Sequence, residues 1–439
     1  MFSRRAILGA TALGALMLSA GAASAQTEIQ WWHAMTGANN DRVEAVAAAF
    51  NKTQTAYKVV PVFKGDYPTT MTAGIAAFRA RQAPHILQVF DVGTGTMMAA
   101  KGAIKPIYEV MNEGGKPFDA KSYLPSVIAY YSDSKGQMLS FPFNSSSPIL
   151  YYRKDIFAKA GLDPNNPPKT YPEVFAAARK IKASGAATCG FTQAWLTWIG
   201  LENFSAWHNI PYATKSNGLD GFDAELKFNS PTHVRHIQNI ADLQKEGVFA
   251  YGGRTSESKT KFINGECAIY LDSSGGIGDI INAKVDFGTG ALPYYPDVAG
   301  APQNTIPGGA SLWVMGGKNA ADYKGVAEFF AFLSQTDVQA EMHQLSGYLP
   351  ITPAAYEATK KSGFYEKNPG REQPVIQMSA KPPTENSRAI RLGNLVQIRA
   401  AIDEELENMF GGKQTAKEAL DKGVQRGNVL LRTFEKDNM

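Results

Sequence analysis

Six histidines, two cysteines and a scatter of acids are the groups in this sequence that could carry covalent or metal chemistry. Only His233 and His236 have the spacing of two ligands on one helical face, and no neighbouring cysteine or acid completes a set. With His33, His85, His208 and His343 they read as surface histidines. The chain has no G-x-S-x-G elbow, P-loop or dinucleotide fingerprint, and Gly93-Thr-Gly95 lacks the rest of a phosphate loop. No catalytic residue, metal ligand or cofactor is expected, and an enzyme has no positive support.

Recognition chemistry is better represented. A small polar ligand needs aromatic faces for its carbon skeleton and a few placed polar groups. Trp195 and Trp198 lie three residues apart in a turn-like segment. Tyr67 and Asp91 stand just beyond the ends of expected strands, where ligands sit in open α/β sheets. Ser145, Ser146 and Ser147 fill a Pro-bounded polar segment, and Ser273-Ser274-Gly-Gly276 and Gly308-Gly309 follow or open strands. Each has a plainer reading. The tryptophans could be core, Tyr348 packing, the serines a turn, and Arg399 half of a structural ion pair.

The elements that must position these groups alternate. Strands are expected at Ile29 to His33, Tyr57 to Phe63 and His85 to Phe90, separated by helices that begin near Asn39 to Asp41 and near Thr69. This rhythm predicts an α/β fold with a largely parallel sheet. Pro142 to Pro148 reads as a polar turn, Ile149 to Tyr152 as a strand, and Lys154 to Ala160 as a short helix closed by Gly161. Thr170 with Glu173 forms a capping box, with Pro172 in the first turn of the helix it opens. Phe287 to Pro293 looks like a return crossover, and the tail from Ile390 is helical.

At 439 residues the chain has room for two domains. Met1 to Ala25 reads as a signal peptide, with basic Arg4-Arg5, an apolar run and small residues before Gln26. The paired arginines leave the export route open between the general and twin-arginine systems. The whole chain carries a formal +4, and without that segment about +2, too weak a balance to argue for nucleic acid or membrane. Cys189 and Cys267 could pair in an oxidising compartment, but sequence alone sets no distance between them.

The run from Phe141 to Glu173 carries a family resemblance. Tyr152-Arg-Lys-Asp155-Ile-Phe157-Ala-Lys-Ala160-Gly161 followed by Pro167-Pro-Lys169-Thr170 resembles the signature of extracellular solute-binding proteins of ABC importers, in the maltodextrin-binding-like group. Longer runs narrow it to the glycerol 3-phosphate-binding branch. Among them are Lys64-Gly65-Asp-Tyr67, Leu201-Glu-Asn-Phe-Ser-Ala-Trp207, Gly308-Gly-Ala-Ser-Leu-Trp-Val314 and Arg391-Leu-Gly-Asn394. The resemblance implies a periplasmic binding protein-like fold: two discontinuous α/β lobes, a hinge and an interlobe cleft. The crossings fall near Phe143, Leu292 and Thr336, giving lobes of residues 26–143 plus 292–336 and 144–291 plus 337–439. It also implies a soluble periplasmic monomer that captures glycerol 3-phosphate, or glycerophosphodiesters such as glycerophosphocholine. Its partners would be that ligand and an inner-membrane permease and ATPase, with no nucleic acid.

The ligand contacts implied are Tyr67, Asp91, Ser146, Trp195, Trp198, Ser273, Gly309, Tyr348 and Arg399, with Ser145 and Ser274 as neighbouring alternatives. Asp91 stands where the branch carries a glutamate, which shortens its reach by one methylene. Charge assigns Asp91 to the glycerol end and Arg399 to the phosphate end. A neutral sugar ligand, or a secreted glycerophosphodiester phosphodiesterase, is the alternative reading.

Overall fold

Alternation fixes the first strand: in Thr27–His33 (β1), Ile29, Trp31 and His33 are buried while Glu28 and Gln30 face out. The next helix, Gly37–Thr53, buries Val43, Val46, Ala47 and Phe50 at helical spacing. It starts earlier than the sequence suggests, after Thr36, so Asn39 and Asp41 lie inside it. These elements come from a computed structural model that describes residues 26–438 apart from Lys101 and Ser134. The expected signal peptide, Met1 to Ala25, lies outside the described residues.

Two sheets organise the chain. The first joins β1 to Tyr57–Phe63 (β2), Ile86–Phe90 (β3), Ile104–Lys105 (β4), Phe141–Ser146 (β5) and the late strand Gly308–Met315, which is β10. The second holds Pro148–Arg153 (β6), Cys189–Gln193 (β7), Cys267–Ser273 (β8) and Phe287–Gly290 (β9), in the order β7-β8-β6-β9. Both sheets are mixed rather than largely parallel. β1 runs parallel to β2 and β3, but β10 returns antiparallel to β3, β4 and β5. β6 is antiparallel to β8 and β9, while β7 and β8 are parallel. Cys189 and Cys267 are register partners on those parallel strands and are disulfide-bonded.

Three local expectations change. Pro142 to Ser146 is strand, not turn, because β10 completes its ladder and the buried Asn144 side chain finds partners in Gln88 and Tyr67. The chain therefore changes sheet at Ser147, a few residues beyond Phe143. Phe287 to Gly290 is the edge strand of the second sheet, and the return to the first runs from there to Gly308. The capping box at Thr170 and Glu173 forms as read, opening the helix Tyr171–Ser184.

The histidines are not on the surface. His33, His208, His233, His236 and His343 are buried, and only His85 is partly exposed. Imidazole is apolar enough to pack in a core, and the buried Nε2 of His33 and of His236 has no partner among the described residues. The His208 Nδ1–H donates to the Phe204 carbonyl (2.8 Å) while its Nε2 accepts from the Tyr295 amide (2.9 Å). His236 stacks on Phe204 with ring centroids 4.2 Å apart.

This burial has a pH consequence. Desolvation holds His33, His208 and His343 down at about 4, His233 at about 3, and His236 well below its usual value. The unfolded chain takes up these protons first. Their stabilisation is fully present above about pH 6.5 and is lost as pH falls toward the folded-state values. Burial raises Asp91 and Asp272 to about 6 and Asp403 to about 7, which acts with the opposite sign between about pH 4 and those values. Five imidazoles outweigh three carboxyls, at up to about 1.4 kcal/mol per pH unit for each uncompensated group. Melting temperature should fall steadily from about pH 6.5 to about pH 4.5. A rise over that interval contradicts this balance.

Candidate ligand cavity

β3 ends at Phe90 and turns at once through Asp91–Gly93, which leaves the Asp91 carboxylate at the carboxyl end of the first sheet. Tyr67 opens the helix Tyr67–Arg79, whose start is fixed by Asp66 accepting from the Thr69 amide (2.9 Å). Its ring stacks on Phe90 (5.2 Å, 2° between planes), and its hydroxyl accepts from Asn144 Nδ2 (2.8 Å). Asn144 is oriented in turn by Gln88, which also accepts from the Ala34 amide (2.8 Å each). Through this chain of bonds β1, β3 and β5 jointly aim one phenol.

Gly309 in β10 has φ +89, and a Cβ there would lie 1.8 Å from the Asn144 carbonyl oxygen. Only glycine fits this close strand approach. The neighbouring Gly308 lets the Trp198 indole lie directly on the backbone, since a Cβ would meet the ring at 2.2 Å. Trp198 begins a π-helical turn, Trp198–Asn203, a widened geometry that recurs at functional sites. Its buried Nε1–H has no hydrogen-bond partner among the described residues. Trp195 sits in left-handed backbone (φ +46), unusual for a bulky side chain, and its Nε1–H is held by Ser256 Oγ (2.9 Å).

From the second sheet, β8 ends at Ser273, whose Oγ accepts from the Gly275 amide (3.1 Å) and keeps its own proton to donate. Tyr348 follows the left-handed Gly347, lies against Gly275 and has its hydroxyl near Asn39 Nδ2 (3.4 Å). Ser146 ends β5 beside the change of sheet. Arg399 projects from the helix Leu395–Phe410.

All nine residues singled out in the sequence line one cavity of about 250 Å³ between the two sheets. At roughly 30 Å³ per water this is the space of about eight waters, enough for a small phosphate ester. Ser146 and Ser273 reach the cavity, whereas their neighbours Ser145 and Ser274 do not line it. Its mouth is bridged. Asp279 accepts from the Ala38 amide (3.1 Å), and Asn39 Nδ2 donates to the Gly275 carbonyl (3.0 Å). These bonds join the first helix to the segment after β8, as in a closed form.

One assignment is corrected. Asp91 and Arg399 are not at opposite ends of the cavity. Arg399 Nη2 donates to Asp91 Oδ2 (2.8 Å), while Nε and Nη2 grip Glu202 (2.6 Å each). Charge separates the two only if Arg399 is free for a phosphate, but the nearest charges to Arg399 are the protein's own. The ion-pair reading of a lone arginine and the cavity placement hold together. Nη1 makes no hydrogen bond to the described residues. Burial raises Asp91 to about 6 against the opposing pull of Arg399, and Glu202 adds to the rise.

The lining also offers uncharged donors: the hydroxyls of Ser146, Ser273, Tyr67 and Tyr348, and the Trp198 indole N–H. Beyond Trp195 the wall turns acidic and polar, with Asp272, Asp279, Thr255, Ser256 and Lys259, the lysine being paired with Asp279. Asp272 was missed in the sequence. It is buried, accepts from Tyr270 (2.8 Å) and leaves Oδ1 without a partner. The rule that picked Asp91, an acid at a strand's carboxyl end, would have found it. Glu202 has no such signal: it lies inside the run Leu201 to Trp207, with nothing local to show that its partner is almost two hundred residues away. Among the described residues no cluster of histidine, cysteine and acids could hold a metal ion.

Comparison with known proteins places this geometry. Residues 45–373 match the model of a family described as bacterial extracellular solute-binding protein. The chain is 63% identical over 409 residues to an sn-glycerol-3-phosphate-binding periplasmic protein of Rhizobium meliloti, covering 93% of this chain and 95% of that one. It is 60% identical to a protein of the same description from Brucella abortus, covering 98% and 99%. Among solved structures, a Mycobacterium tuberculosis protein in complex with glycerophosphocholine superposes with a TM-score of 0.77 at 20% identity, covering 93% of this chain and 99% of that one. A maltose-bound protein of T. maritima does so at 0.76 and 17%, covering 93% and 100%. At such identities the structures speak to the fold alone.

Proposed function

This chain belongs to the bacterial extracellular solute-binding proteins, and from that premise we propose that it captures sn-glycerol 3-phosphate in the periplasm and hands it unaltered to an inner-membrane ABC permease and its ATPase. One observation carries the ligand reading. One cavity is lined both by a carboxylate–guanidinium pair and by a group of uncharged donors that the pair does not engage. A hydroxyl both donates and accepts, so it can donate to Asp91 and accept from Arg399 Nη1. A phosphate only accepts, so it belongs with Ser146, Ser273, Tyr67, Tyr348 and the backbone at Gly309. Trp195 and Trp198 cover the carbon skeleton between them.

The same cavity has room for a phosphodiester. The wall beyond Trp195, with Asp272, Asp279 and Ser256, suits a polar or cationic head group such as the choline of glycerophosphocholine. The two sheets are the cores of two lobes, residues 26–146 plus 292–336 and 147–291 plus 337–438, with the first boundary moved to the change of sheet at Ser147. These close on the ligand as hinged domains do, and the protein works as a monomer.

Closure around Trp195 and Trp198 gives the test. Tryptophan emission of the purified protein should shift and saturate with glycerol 3-phosphate, and not with maltose or inorganic phosphate at the same concentrations. Saturation by maltose alone would replace this reading with a sugar-binding one. Turnover of glycerophosphocholine would replace it with an enzyme.

A further inference from the structure

Arg399 is the cation that a negatively charged ligand should seek, yet the fold has neutralised it from behind. Glu202 takes its fork with two bonds of 2.6 Å, through Nε and Nη2, the arrangement a ligand carboxylate would otherwise use. Glu202 is 1% exposed and does not line the cavity, whereas Arg399 and Asp91 do. Asp91 takes the other side of Nη2. Asp403, on the same helix as Arg399, adds a further acid nearby, and Tyr130 and Tyr212 complete the surroundings. One positive charge thus faces two directly bonded carboxylates in a dry environment, where charge is felt strongly.

We propose that Glu202 is a specificity-determining residue that makes this end of the cavity accept a neutral hydroxyl and reject a carboxylate. The inference rests on the proposed glycerol 3-phosphate reading and deepens it. Without Glu202, Arg399 would offer a free fork, and a phosphate ester of a hydroxy acid would dock as readily as one of glycerol. With it, a ligand carboxylate meets Asp91 and a spent guanidinium, and like charges set side by side cost affinity. A hydroxyl adds no charge and uses Nη1 and Asp91 together. The π-helical turn that carries Trp198 into the cavity also carries Glu202 onto Arg399 four residues later, so one irregular turn sets both the wall and the charge behind it.

The test compares two ligands with the same carbon skeleton, phosphate and configuration at the central hydroxyl: sn-glycerol 3-phosphate, and 3-phospho-L-glycerate, in which a carboxylate takes the place of the hydroxymethyl group. Kd for both is measured on wild type, Glu202→Gln and Asp91→Asn, with melting temperatures as a check of folding. Wild type should prefer glycerol 3-phosphate by about 100-fold or more, and Glu202→Gln should narrow that ratio by about tenfold or more. Asp91→Asn, which removes the other bonded charge, should narrow it too and serves if Glu202→Gln does not fold. A purely structural role would shift both affinities together and leave the ratio alone, and that result overturns the proposal. Equal binding of the two ligands by wild type also overturns it, while leaving the function intact. No binding of glycerol 3-phosphate to wild type removes the function and this inference with it.

Discussion

Arg399→Ala should destabilise the protein by about 3–5 kcal/mol, the range for leaving buried carboxylates without their cation. Asp91 and Glu202 both bond this guanidinium, and both are buried. The helix Leu395–Phe410 would also lose its tie to the turn after β3 and to the π-helical turn. The loss should shrink at low pH, because Asp91, already raised to about 6, can then take a proton. It should also shrink when Arg399→Ala is combined with Glu202→Gln, since neutral replacements of a buried pair are tolerated better than half of one. Urea unfolding of the wild type and both variants reads this as a change in midpoint. A single-variant loss below about 1 kcal/mol would mean that the cluster is solvated and the account of it wrong.

Trp198→Ala is the second large effect, at about 3–5 kcal/mol of stability for a truncated buried aromatic. The indole is 4% exposed and lies directly on the Gly308 backbone. Affinity should fall with it. Trp198→Phe separates the two roles. It keeps most of the apolar wall but removes the unpartnered Nε1–H, so affinity should drop by about 1–3 kcal/mol with a much smaller loss of stability. If Trp198→Phe binds glycerol 3-phosphate as tightly as wild type, the indole N–H is not a ligand donor.

The cavity was legible in the sequence where local rules point the same way as the fold. Asp91 and Tyr67 follow strand ends, and Gly309 opens a strand with the one residue type that tolerates its backbone. Here the chain's own pattern and the family resemblance led to the same residues. What stayed hidden was pairing across long separations. Nothing near Arg399 announces Glu202 or Asp91, so its charge looked free for a phosphate when it is held by the protein. The polar run Asn144 to Ser146 reads as a turn because asparagine and serine favour turns. A late partner strand, β10, makes it part of a sheet. The histidines mislead for the same reason: partners distant in sequence, such as Tyr295 for His208 and Ser205 for His233, let an imidazole be buried, and aromatic packing on Phe204 holds His236.

The central claim is the direction of the ligand, with its hydroxyls on the Asp91–Arg399 pair and its phosphate among uncharged donors. A crystal structure of the protein with glycerol 3-phosphate tests it most directly. The phosphorus should lie beside Ser146, Ser273, Gly309 and Tyr348, with a glycerol hydroxyl bonded to both Asp91 and Arg399 Nη1. A phosphate bonded to Arg399, with Glu202 displaced from the guanidinium, would contradict the account.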